Sequence, residues 1–150
     1  IMKKKIILAL LAILVVMQFF GSHPEQAPVV LEEDFIHITQ PTEEVAKLLK
    51  TACYDCHSHE TTYPWYSHVA PLSWWINHHV EEGNEHLNFS TWGKYSPKKA
   101  DHKLEECVEE IEEGEMPMKP YTVAHGDANL TQEQIALLSD FFSGLRKTQE

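Results

Sequence analysis

Apolar positions recur at helical spacing in four stretches of the chain, and no stretch alternates as a strand would. Val45, Leu48, Leu49 and Ala52 form one stripe and predict a helix over 42–52, with Thr39 or Thr42 as its cap behind Pro41. Leu72, Trp75, Ile76, His79 and Val80 predict a second helix over 72–82, stopped by Gly83. The third has Ser96 as cap and Pro97 at its first turn, then Ala100, Leu104, Cys107, Val108 and Ile111, and it ends at Gly114. The fourth starts at Thr131 with Gln134 three residues on as a capping box, and turns Ile135, Leu138, Phe142 and Leu145 inward. The expected fold is therefore all-α, with about four helices and irregular loops between the second and third and over 115–130.

The N-terminal pattern differs from these. Lys3, Lys4 and Lys5 precede fifteen residues, Ile6 to Phe20, that only Gln18 interrupts. A basic cluster before an apolar run of this length is a signal peptide or a membrane anchor. A cut at Gly21 or Ser22 would set Phe19 or Phe20 where a small residue belongs, which favours an uncleaved anchor. Either reading exports the remainder and leaves the lysines on the cytoplasmic side. Residues 22–38, with Pro24 and Pro28, read as a spacer whose part from Val29 to Ile38 lies on the domain as an extended arm. The expected organisation is thus a signal or anchor over 1–21, a spacer over 22–38 and a globular domain over 39–150.

Charge narrows the partners. The 150 residues carry 12 Lys plus Arg against 23 Asp plus Glu, a formal net charge of -11. Beyond residue 21 nine cations face all 23 anions, a balance that repels phosphate backbones and argues against nucleic acid. Three cysteines are too few for a disulfide scaffold, while ten histidines raise the prospect of metal or cofactor chemistry.

That chemistry centres on Cys53-Tyr54-Asp55-Cys56-His57. The spacing C-x-x-C-H is that of a c-type haem attachment site: two thiols add to the vinyl groups of one haem, and the next residue brings an imidazole under the iron. A structural zinc site would want four ligands, with Cys107 and another histidine completing the set. A thioredoxin-like dithiol would sit near a βαβ pattern, which is missing, and a plain Cys53–Cys56 disulfide would leave His57 unexplained.

A sixth ligand is sought among thioethers and imidazoles. Met2 and Met17 lie in the apolar N-terminal run, which leaves Met116 and Met118. Met116 is preferred, since Pro117 fixes the backbone after it and Gly114 allows a sharp turn before it. Met118 and His79, on the stripe of the second helix, are the alternatives. Tyr63, Trp65 and Tyr66 are candidates to wall the haem, Trp75 fits the inward stripe, and Trp74 borders it. Cys107 reads as a buried inert thiol. The seven glutamates from Glu105 to Glu115 read first as a solvated face and then as a docking surface for a basic redox partner.

The stretch C-Y-D-C-H-S-H-E-T-T-Y-P-W-Y-S-H-V-A-P-L-S-W-W-I-N-H-H-V-E-E-G, followed by L-N-F-S-T-W and G-E-M-P, resembles the haem-binding domain family of small exported bacterial c-type cytochromes. The resemblance implies a small cytochrome c-like domain with one covalent haem c, Cys53 and Cys56 as thioether links and His57 as proximal ligand. It also favours Met116, in a family pattern that reads G-E-M-P-P, and this chain departs by setting Met118 where a second proline is expected.

Two functional classes follow. With His57 and Met116 both on iron, the protein is an electron carrier and not an enzyme, held on the periplasmic side of the inner membrane and serving redox partner proteins. With an open or labile sixth position it is a gas sensor or a weak peroxidase.

Overall fold

The capping chemistry read from the sequence sets where the helices begin. The computed structural model describes residues 2–21 and 26–147. Among them are eight α-helices and no strand: α1 (Met2–Met17), α2 (Phe35–Thr39), α3 (Glu43–Ala52), α4 (Tyr54–His57), α5 (Leu72–His86), α6 (Pro97–Glu113), α7 (Lys119–Ala124) and α8 (Gln132–Lys147). Short 3-10 turns join them, the longest being Phe89–Lys94. Ser22, one of the two residues weighed as a cut site, and the spacer residues His23, Pro24 and Glu25 lie outside the described residues, as do Ile1 and residues 148–150.

The Thr42 hydroxyl accepts from the Val45 N–H at 3.4 Å and caps α3, and the Ser96 hydroxyl accepts from the Lys99 N–H at 3.3 Å and caps α6. At α8 the capping box closes both ways, with the Gln134 amide accepting from the Thr131 N–H at 2.9 Å and the Thr131 hydroxyl from the Gln134 N–H at 3.3 Å. Gly114 ends α6 at φ 75°. Helices α6 and α8 pack together, and Arg146 ties them by donating to Asp101 at 2.9 Å and to Glu105 at 3.0 Å.

The core lies where α3, α6 and α8 converge with two segments that the sequence pattern had left irregular. The first is α2. Asp34 caps it by accepting from Ile36 and His37, and Phe35 is 0 % exposed. The Phe35 ring sits 4.9 Å from Phe89 and 4.7 Å from Trp92. This segment is helical and central, not the extended arm of a spacer, because one large aromatic outweighs the polar residues around it. The second is Phe89–Lys94, which buries Phe89 and Trp92 on that same ring. The loop between α5 and α6 thus packs on protein side chains and does not depend on a cofactor for a surface.

Helix α5 runs past Gly83 to His86, and its buried residues are Ser73, Asn77 and Val80. Of the expected stripe only Val80 is buried, whereas Leu72 and Trp75 are exposed. Small residues mark where α5 meets its neighbours, Gly83 against α4 and Ser73 beside Gly21. At the N-terminus α1 buries no residue. No helix among the described residues is long and apolar enough to cross a membrane.

Candidate functional site

Helix α4 follows α3 after a one-residue break, and this break turns the C-x-x-C-H segment across the end of α5. The approach is tight: a Cβ on Gly83 would stand 2.4 Å from the Cys56 carbonyl oxygen. Gly83 is therefore a point of close contact and not a helix stop, as its isolated position after an apolar stripe had suggested. The same contact brings the Gly83 and Leu87 carbonyls to 2.9 and 3.2 Å from Nδ1 of His57.

Carbonyl oxygens only accept, so Nδ1 carries the proton and donates, which leaves the lone pair of Nε2 for a metal. Burial holds the His57 pKa below its usual value, against the pull of the two carbonyls, and favours the neutral ring that a metal would need. The neighbouring thiols are free. Burial pushes the Cys53 thiol up to about 12 and the Cys56 thiol up to about 11, so both are held as S–H.

Cys53, Cys56 and His57 line one cavity of about 550 Å³, on the scale of cofactor pockets. Its inner wall is apolar, with Leu87, Phe89, Ile111, Leu130 and Phe142. Met116 and Met118 lie on this cavity too, as does His79. The end of α6 accounts for Met116. Gly114 takes the left-handed conformation, and the Glu110 carbonyl accepts from the N–H of Glu115 at 3.0 Å and of Met116 at 3.1 Å. The chain is thereby folded back so that Met116 packs against the core, whereas Met118 caps α7.

Three expected wall residues fall elsewhere. Trp65 is 78 % exposed, with its ring edge-on to Tyr66 at 5.9 Å. Trp75 is exposed and off the cavity wall, with its ring tilted against that of His79 at 4.2 Å. Tyr63 stands off the cavity wall, with its phenol pKa raised by burial and by the nearby Cys56 thiol. Helical periodicity placed Trp75 inward, but of that stripe Val80 is buried and His79 meets the cavity, while Leu72 and Trp75 are exposed.

Sequence reasoning missed four contributors. Gly83 and Leu87 act through backbone carbonyls, which no side-chain pattern reports. Lys103 lies on the cavity wall among Glu106, Glu109 and Glu110, so part of the acidic cluster borders the cavity. Tyr121 of α7 lines it as well and donates to Asp55, inside the C-x-x-C segment, at 2.8 Å, and to the Thr51 carbonyl at 3.1 Å. Cys107, read as buried and inert, lies on the cavity wall with its pKa raised chiefly by burial.

The set of donors fits a haem: paired thiols three apart, a neutral imidazole with a free Nε2, a thioether and an apolar slot in one cavity. No curated protein and no solved structure matches the chain significantly. The haem-binding domain family, in contrast, matches residues 12–144. A match over this much of the sequence, on a chain whose cavity gathers these ligands, means that the protein belongs to the haem-binding domain family.

Proposed function

We propose that the protein is a monohaem c-type cytochrome that transfers electrons on the periplasmic side of the inner membrane, tethered there by its N-terminal helix. What carries this reading is the gathering of Cys53, Cys56, His57 and Met116 on one cavity. The cysteines would hold the haem covalently as thioethers, His57 would bind iron through Nε2, and Met116 would take the sixth position. A bound haem supplies reversible one-electron chemistry at iron. The chain's part is to fix the imidazole through the two carbonyls, exclude water with its apolar wall and saturate the metal. A saturated iron leaves no site for a substrate, so the protein acts as a carrier and not as an enzyme. Glu106, Glu109 and Glu110 at the cavity would receive a basic redox partner and make association weaken with salt.

The test is an absorption spectrum of the reduced protein, made with c-type maturation, before and after carbon monoxide is added. A sharp low-spin spectrum that carbon monoxide leaves unchanged supports the carrier. An immediate shift would mean an open or labile sixth site and would replace the carrier by a gas sensor or weak peroxidase.

A further inference from the structure

We infer that the domain does not hang free of the bilayer but lies on it, through an aromatic collar around the point where α1 leaves the domain. This rests on the tethering reading and adds an orientation to it.

The first observation is a clamp. The Gln18 side-chain amide donates to the Ala70 carbonyl at 3.1 Å and accepts from the Ala70 N–H at 3.0 Å. Four residues along, the Trp74 indole N–H donates to the Phe20 carbonyl at 3.2 Å. These three bonds fix the end of the apolar N-terminal segment to the start of α5, so the position of α1 dictates that of the domain.

The second is what surrounds the clamp. Phe19 and Phe20 are 82 % and 74 % exposed, and Val69, Leu72 and Trp74 are exposed as well. These residues flank the bonded atoms on both sides of the clamp and continue the apolar surface of α1, which is itself exposed along its length.

The third is charge. From Thr61 to Val80 the chain has twenty consecutive residues without Asp, Glu, Lys or Arg, in a protein 23% charged, and this stretch holds three of its four tryptophans. Tryptophan favours the membrane–water interface, where its ring is buried and its N–H stays wet.

Length makes the collar necessary. The twelve apolar residues of α1 that follow Lys5 rise about 18 Å, against about 30 Å of hydrocarbon. A short apolar helix draws its flanking residues into the interface. Here those flanking residues are the collar, clamped to the domain, so the domain is drawn down with them. Lipid is the occupant that fits, because the collar is continuous with α1 and carries no charge.

The test uses the full holoprotein in phosphatidylcholine vesicles containing a lipid with a photoactivatable diazirine near its glycerol, and adducts are mapped by mass spectrometry. The expected result is labelling of α1, of Phe19 and Phe20 and of residues 69–75, at least tenfold above the rest of the domain. Gln18→Ala should lower labelling of 69–75 at least fivefold relative to α1, with the haem spectrum unchanged as the control for folding. Labelling of α1 alone would overturn the collar and keep the tether, and chain-to-chain cross-links through the collar would assign it to a second copy. Absence of labelling on α1, or of α1 from the mature protein, would overturn the tether and the collar together. Equal labelling of 69–75 in Gln18→Ala would overturn the clamp.

Discussion

Nδ1 of His57 lies 2.9 Å from the carbonyl of Gly83, and it does so because residue 83 has no side chain. The backbone of α5 reaches the C-x-x-C-H segment only where a Cβ is missing. One glycine thus sets the packing of α4 on α5 and, with the Leu87 carbonyl, the tautomer of His57.

Gly83→Ala tests this relationship. Alanine favours a helix interior over glycine by about 1 kcal/mol, so an exposed site would gain stability. Here the new Cβ meets the Cys56 carbonyl oxygen at 2.4 Å, and backbone must move. Overpacking of this kind costs about 1–3 kcal/mol, which outweighs the gain. The expected result is a lower urea midpoint and a smaller yield of haem-loaded protein. A higher midpoint would mean that α4 and α5 lie further apart.

Phe35→Ala addresses the N-terminal boundary of the domain. The ring is fully buried among Phe89, Trp92, Phe141 and Phe142, and deleting such a side chain costs about 3–5 kcal/mol. That is a large part of the 5–15 kcal/mol typical of a whole domain. A chain starting at residue 26 should fold, and one starting at residue 40 should not. Circular dichroism melts of the two truncations check it.

These two residues mark where sequence reading succeeds and fails. Thr42, Ser96, Thr131 and Gln134 were legible as caps because a cap bonds to backbone within three residues. The stripes of α3, α6 and α8 were legible because each packs large apolar side chains on one core. Phe35 was not, since five residues are too short for a period to emerge. Nor was the buried face of α5, where Ser73, Asn77 and Gly83 mark closeness to a neighbour and carry little apolar signal. The candidate ligands Cys53, Cys56 and His57 were legible as a local motif, whereas the residues around them meet only in three dimensions.

Thiol counting checks covalent attachment. The chain has three cysteines, and none of them is in a disulfide. If Cys53 and Cys56 form thioethers, denatured holoprotein takes one alkyl label, on Cys107, and denatured protein made without maturation takes three. In the folded holoprotein Cys107 should stay unlabelled at pH 8, because burial raises its pKa and keeps the unreactive thiol. Mass spectrometry reads each number, and three labels on denatured holoprotein would exclude covalent haem.

The two methionines make different predictions. Met116 packs against the core and is folded back by the Glu110 carbonyl, while Met118 sits at the start of α7. Met116→Leu should remove the low-spin, six-coordinate spectrum and open the iron to carbon monoxide, and Met118→Leu should leave the spectrum as it is. The reverse pattern would assign the ligand to Met118, and no change in either would point to His79.

The last prediction concerns what keeps the methionine segment closed. Tyr121 lies three residues beyond Met118, and its hydroxyl donates to Asp55 at 2.8 Å and to the Thr51 carbonyl at 3.1 Å. Asp55 also accepts from the Thr62 N–H at 3.0 Å, so one carboxylate joins the C-x-x-C-H segment, the following loop and α7. Burial, and next the hydrogen bond to Asp55, push the phenol pKa up, so Tyr121 remains a donor at all ordinary pH. Tyr121→Phe keeps the ring and its stacking on His125 and removes only the O–H. A hydrogen bond to a charged group is worth about 1.5–3 kcal/mol, so local opening of the methionine segment should rise roughly tenfold or more. Carbon monoxide reaches a six-coordinate iron only after the thioether leaves, and its binding to the reduced variant should speed up by a similar factor while the resting spectrum stays low-spin. An unchanged rate would show that Met116 is held by the α6 end alone, and that Tyr121 braces the fold without governing the sixth ligand.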